Sequence, residues 1–187
     1  MKKPHPTLYW VSVILGTLFL NAANAQILTG GSDSSSMTVT VKVNQSCSIS
    51  TSSGLNFSVY DPVAVNATTA LNATALVSVV CTKGSVGMTI GLSNGGHAVG
   101  NNRNMMGTSS SSFLAYTINQ PPSNVAGTAC TFPGTIPWTN VVGVGMLSIA
   151  TAPDTVARTY SICGTVAGGQ VVPADTFTDT ITATINF

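Results

Sequence analysis

The chain carries almost no charge. Only 6% of its 187 residues are Asp, Glu, Lys or Arg, and Glu is absent altogether. No basic patch exists to follow a phosphate backbone, and no polybasic segment to meet an anionic membrane, so neither nucleic acid nor a charged lipid surface is an expected partner. No Cys-x-x-Cys pair occurs, which removes the usual sign of a structural zinc site or a redox dithiol. Past residue 25 there is one histidine, His97, in the turn Asn94-Gly95-Gly96-His97. With no Gly-x-Ser-x-Gly elbow and no close pair of acidic residues, the parts of a hydrolase are missing. We expect no enzymatic activity and no cofactor. His97, Met105 and Met106 are side chains of the kind that bind copper, but methionine far more often fills a core, and no metal site is expected.

Long apolar runs are missing too. The longest, Leu8 to Leu20, has 13 residues, short of the about 20 a membrane span needs. It follows Lys2 and Lys3 and precedes Ala22-Ala23-Asn24-Ala25, the pattern of a secretory signal peptide cleaved after Ala25. Residues 26–187 then form an exported chain of 162 residues without a membrane span, enough for one domain with a sizeable core. It holds four basic and five acidic residues, a net charge of −1. Solubility must come from Ser, Thr, Asn and Gly, and like-charge repulsion between copies is weak, which suits self-association. Four cysteines, Cys47, Cys81, Cys130 and Cys163, lie in this exported part. In an oxidising compartment they imply two disulfides, with three possible connectivities.

What is present is β pattern. In Met37 to Val43, apolar Met37, Val39, Val41 and Val43 alternate with Thr38, Thr40 and Lys42, a period of two that marks a half-buried strand. A Gly- and Ser-rich lead from Thr29 to Ser36 precedes it, and Cys47 follows closely. On spacing alone this is an ordinary first strand. Other strand-like runs are Leu55 to Tyr60, Ala75 to Cys81, Val86 to Leu92, Phe113 to Ile118, Val144 to Ala150, Arg158 to Val166 and Phe177 to Phe187, with turn residues between them. In the last run Phe177, Ile181, Ala183, Ile185 and Phe187 share one parity, which places the final residue of the strand pattern on the core side. Eight or nine short strands and no long amphipathic helix predict an all-β sandwich.

In order and spacing, several stretches carry a resemblance: Leu55-Asn56-Phe57-Ser58-Val59-Tyr60-Asp61-Pro62, Cys81-Thr82-Lys83-Gly84, Asn94 to Gly100 leading to Arg103 and Met105, and Leu114-Ala115-Tyr116. The tail from Tyr160 to Phe187 adds Gly164, Gly169-Gln170, Val172-Pro173 and Asp179-Thr180. The chain is similar to the spore coat protein U domain family, which includes subunits of archaic chaperone–usher pili. It departs from that pattern at Ser58 and Asp175, each in place of a usual Gly, at Phe177 in place of Tyr, and at Ala167-Gly168 in place of Pro-Ala. The segment from Pro121 to Val142, with Cys130 and Trp138, does not align with it.

The resemblance implies an incomplete immunoglobulin-like sandwich that lacks its last strand. A periplasmic chaperone fills the resulting groove first, and the N-terminal strand of a neighbouring subunit then replaces it, by β-strand addition at the outer-membrane usher. Met37, Val39, Val41 and Val43 would then be the donor-strand residues, in an N-terminal extension spanning residues 26–46. Phe177, Ile181, Ala183, Ile185 and Phe187 would line the groove of a domain spanning residues 47–187. The resemblance also implies the pairing Cys47–Cys81, with Cys130–Cys163 left over. The expected role is a subunit of a surface fibre supporting adhesion and biofilm formation. A spore or cell coat protein, or a tip adhesin that binds a sugar or an abiotic surface, are the alternatives. Intact-mass measurement of the exported protein should find Gln26 as its first residue.

Overall fold

The computed structural model describes residues 30–52 and 54–187, so the expected signal segment lies outside the described residues. The chain divides into two units between Val41 and Lys42. In the first, residues 30–41 are all exposed and form no helix or strand. The second, among its described residues, is all-β apart from one 3-10 turn at Val65–Ala67. Its nine strands are β1 (Cys47–Thr51), β2 (Leu71–Cys81), β3 (Thr89–Leu92), β4 (Arg103–Gly107), β5 (Phe113–Asn119), β6 (Leu147–Ser148), β7 (Arg158–Val166), β8 (Phe177–Thr178) and β9 (Ala183–Asn186).

These strands form an immunoglobulin-like sandwich. One sheet has the order β1-β2-β7-β5-β4-β8 and the other β6-β3-β9. The longest ladder joins β2 to β7, antiparallel from Leu71↔Val166 to Val79↔Arg158. In β2 the inward set Ala75, Val77, Val79 and Cys81 is buried, as its alternation requires. β7 lies between β2 and β5 and is buried continuously from Tyr160 to Gly164. The disulfide Cys47–Cys81 joins directly opposed residues of β1 and β2, with Cα atoms 4.1 Å apart. The disulfide Cys130–Cys163 ties the long 120–146 segment to β7.

The segment that resisted alignment supplies the largest buried side chain. Trp138 is fully buried, its indole N–H donating to the Ile90 carbonyl at 2.8 Å. Beside it lies Arg103, only 7% exposed. Arg103 Nη2 donates to the carbonyls of Leu92, Ser93 and Trp138 at 3.0, 2.7 and 2.8 Å, and Nε donates to Ser93 at 3.0 Å. Burial pulls its pKa down, and the nearby Tyr116 and Asp179 oppose that shift. One planar fork thus satisfies carbonyls from two chain segments, 92–93 and 138.

Several expected strands are shorter or absent. Leu55 to Tyr60 forms no strand, although Leu55, Phe57 and Tyr60 still pack against the core. Val86 to Leu92 narrows to β3, and Val144 to Ala150 to the two residues of β6. β4, which sequence alternation did not mark, carries the inward Arg103 where an apolar residue would signal a strand. Phe177 to Phe187 is two strands: β8 pairs with β4 in one sheet and β9 with β3 in the other. Its inward stripe is interrupted by Asp179, and Phe187, expected on the core side, is 56% exposed.

Replacing the guanidinium tests its role. Arg103→Met would leave buried carbonyls without donors and should cost about 3 kcal/mol. Arg103→Lys keeps the charge, loses the fork and should also destabilise, whereas the surface change Lys83→Ala should stay within about 0.5 kcal/mol. Urea midpoints of the three variants check this.

Candidate functional site

β1 closes one side of the larger sheet and β9 one side of the smaller. The two strands lie in contact, yet no hydrogen-bonded ladder joins them among the described residues. Each therefore presents one row of unpaired backbone groups. Their inward side chains, Cys47 and Ile49 on β1 and Ala183 and Ile185 on β9, pack against the core but remain only half-buried. In a closed sandwich such positions are covered by a further strand.

Beyond this contact, between the end of β1 and the segment from Phe177 to Ile181, lie two adjoining cavities. One, of about 350 Å³, lies between Thr51, Ser52, Gly54 and Leu55 on one side and Phe177 to Ile181 on the other, with Ile162, Met105 and Tyr116 also lining it. The other, of about 930 Å³, continues past Leu55, Phe57, Met105 and Phe177 to Val172 and Val59. Their shared wall exists because β7 carries Gly164: a Cβ there would collide with the Leu55 and Phe57 side chains. The 55–57 segment can thus lie flat on the sheet, and Phe57 meets Tyr116 edge-on with ring centroids 6.2 Å apart. The result is a pair of joined cavities with an apolar shared wall, lying beside the unladdered edges of β1 and β9.

The crossover between β8 and β9 is organised by Asp179, whose side chain is 3% exposed. Tyr116 Oη donates to Oδ2 at 2.6 Å. Oδ1 accepts the N–H groups of Gly96 and His97 at 2.8 and 3.1 Å, and His97 Nδ1 lies 3.2 Å away. The turn closes this tightly around the carboxylate because residue 95 is glycine, at φ +93°; a Cβ there would strike Asp179. Burial, followed by the bond to Asp179, pushes the Tyr116 phenol far above its ordinary value of 10.0.

The residues that depart from the family pattern each have a local setting. Ser58 has φ 61°, the left-handed region that a glycine would adopt freely, and its N–H donates to Asn56 Oδ1 at 2.8 Å. Asp175 caps the turn between β4 and β5: Oδ2 accepts the N–H groups of Ser109 and Ser110 at 2.9 and 2.7 Å. The Ser110 contacts above all, then Ser109 and Thr176, hold its carboxyl well below the usual range. Gly168 lies against the backbone of Thr68 and Thr69, where a side chain would not fit.

Of the residues singled out from the sequence, Phe177 and Ile181 line a cavity, Ala183 and Ile185 are half-buried on β9, and Phe187 is exposed. Met37, Val39, Val41 and Val43 are 84, 83, 89 and 74% exposed and belong to no sheet. Met105 packs against the core and lines the groove, and His97 faces Asp179. No group of three or more His, Cys, Asp or Glu side chains that could hold a metal occurs among the described residues. Sequence reasoning missed the roles of Arg103, Asp175 and the carboxylate of Asp179. The one available signal was the charge of Asp179 on the inward parity of an apolar run.

The raised Tyr116 pKa has a pH consequence. The unfolded phenol ionises near pH 10 and the folded one does not, so stability should fall as pH rises past about 10, by up to about 1.4 kcal/mol per pH unit for this group. Urea unfolding at pH 9 and 11 should show a smaller alkaline loss in Tyr116→Phe, which also starts lower by about 1–3 kcal/mol because Asp179 loses a donor.

Comparison with known proteins gives the same architecture a family. The Spore Coat Protein U domain model matches residues 33–184. Protein U of Myxococcus xanthus is 32% identical over 155 residues, covering 78% of this chain and 79% of that protein. Among solved structures, a chain of the CsuC–CsuE chaperone–tip adhesion subunit pre-assembly complex, from the archaic chaperone-usher Csu pili of Acinetobacter baumannii, matches with a TM-score of 0.50 at 22% identity. That match covers 78% of this chain and 40% of the other. A strand-deficient sandwich whose sequence matches this family from Asp33 to Thr184 leaves one assignment: the chain belongs to the Spore Coat Protein U domain family.

Proposed function

We propose that this protein is a structural subunit of a surface fibre of the archaic chaperone–usher type, assembled by donor-strand exchange. Met37 to Val43 of one subunit fills the β1/β9 groove of the next. One observation carries the reading: a single chain holds both an apolar groove with unpaired edges and an alternating apolar segment that belongs to no sheet. Met37, Val39, Val41 and Val43 would cover the half-buried side chains of β1, β8 and β9. Their burial is worth roughly 6–12 kcal/mol before entropy, at about 1.5–3 kcal/mol each. Strand hydrogen bonds add about 1 kcal/mol each.

An open groove of this kind is an aggregation hazard, which is the physical need for a periplasmic chaperone that covers it until an outer-membrane usher hands the subunit on. The fold likeness to a complex of a chaperone with a tip adhesion subunit is consistent with that partner. The fibre stands at the cell surface and serves adhesion and biofilm formation. The family description favours a second reading, a spore or cell coat built through the same joint. Electron microscopy of cells with and without the gene separates fibres from coat.

The joint is testable at two positions. Val41→Asp would put an unpaired charge into an apolar groove, at several kcal/mol. The chaperone-bound subunit should remain stable and exported but fail to polymerise, while Lys42→Ala polymerises normally. Ile185→Asp, on the groove wall, should abolish chaperone capture. Pull-down on a tagged chaperone and fibre yield read both; normal fibres from Val41→Asp would refute the donor assignment.

A further inference from the structure

Asn44, Gln45 and Ser46 join the exposed apolar segment to β1, and all three are held against the turn that follows β2. The Ser46 carbonyl accepts the Thr82 N–H at 2.8 Å. The Thr82 hydroxyl reaches the carbonyls of Asn44 and Ser46 at 3.4 and 3.3 Å. Gln45 meets the Val86 backbone at two points: Nε2 donates to the carbonyl at 3.1 Å, and Oε1 accepts the N–H at 3.2 Å. The side-chain amide thus stands in for a neighbouring strand at Val86. Ser46 opposite Thr82 continues the register Cys47↔Cys81, so these residues prolong β1 and do not turn back from it.

That matters because the groove begins at the other edge of β1. A chain could fill its own groove in two ways only. With its segment parallel to β1, Met37 beside Cys47 would place Val43 six residues farther along, about 20 Å away at strand rise. The four peptide steps from Val43 to Cys47 reach about 14 Å at most, so this route is closed by length. With the segment antiparallel to β1, residues 44–46 must form a three-residue hairpin turn, a length that hairpins commonly use. Length permits this route, and the bonds to Thr82 and Val86 oppose it.

We infer that the Gln45–Val86 and Thr82 contacts form a clamp that disfavours closure of the chain on itself and so biases the groove beside β1 toward a strand from a second molecule. The inference rests on the donor-strand reading above. It adds that the choice between self-closure and polymerisation is made at residues 44–46, not in the groove. An intramolecular segment competes at an effective concentration in the millimolar range, so an unclamped chain would outcompete most incoming partners.

The test uses the chain from Gln26 onward, unfolded with its disulfides intact and refolded at low concentration. Its groove is titrated with a fluorescent peptide of residues 36–44 and with the same peptide carrying Val41→Asp. The wild-type chain should bind the first peptide and not the second. The Gln45→Ala/Thr82→Val chain should bind the first roughly ten-fold more weakly, because its own segment now competes. Adding Val41→Asp to that chain should restore binding, which also shows that its groove is folded; if it does not fold, Gln45→Ala and Thr82→Val are used singly. The clamp is overturned if the clamp variants bind as tightly as wild type. It is equally overturned if wild type refuses the peptide while the Val41→Asp chain accepts it, since the natural chain then closes on itself. If neither wild type nor the Val41→Asp chain takes the peptide, or if both peptides bind alike, the donor-strand reading fails first and the clamp with it.

Discussion

The rest of the structure depends on one constraint: the segment from Phe177 to Asn186 pairs in one sheet and then in the other. β8 ends one sheet and β9 ends the other, so among the described residues β9 pairs with β3 alone, and β1 likewise pairs with β2 alone on the facing sheet. The core is complete behind these strands, where Val77, Val79 and Ile90 are fully buried. In front of them Ile49, Ile181 and Ile185 are half-buried. The core is thus closed behind the two edge strands and leaves apolar side chains only partly covered in front of them.

The crossover costs a buried charge. Asp179 lies where an apolar residue would continue the stripe, and it is made tolerable by Tyr116, two N–H groups of the 94–97 turn and the approach of His97. Arg103, buried nearby, contributes favourable charge to the same region while its own donors go to carbonyls. Each charge has hydrogen-bonding partners, as burial demands. This polar knot ties the crossover to the 94–97 turn and to β5.

The surface around the groove carries few charges to repel a second copy. Edge strands in soluble proteins are commonly protected by lysines and inward-pointing charges. Here the outward residues of β1 and β9 are Ser48, Ser50, Thr184 and Asn186, all neutral. Neutral edges of this kind lack the charges that would oppose the addition of a further strand.

The sequence by itself determined the all-β class, the alternation of β2 and the apolar periodicity of Met37 to Val43, because a period of two depends only on neighbouring residues. Ordered motifs such as Leu55 to Pro62 and Asp179-Thr180 made the family legible as well. Only the tertiary structure decided that Leu55 to Tyr60 lies flat over Gly164 without becoming a strand, since that depends on a missing side chain more than a hundred residues away. The same holds for Trp138 and Arg103, whose places rest on carbonyls from distant segments. It holds also for the break at Asp179: alternation records which side a residue faces, but not which sheet its backbone joins, and that is settled by the hydrogen-bond partners that packing supplies.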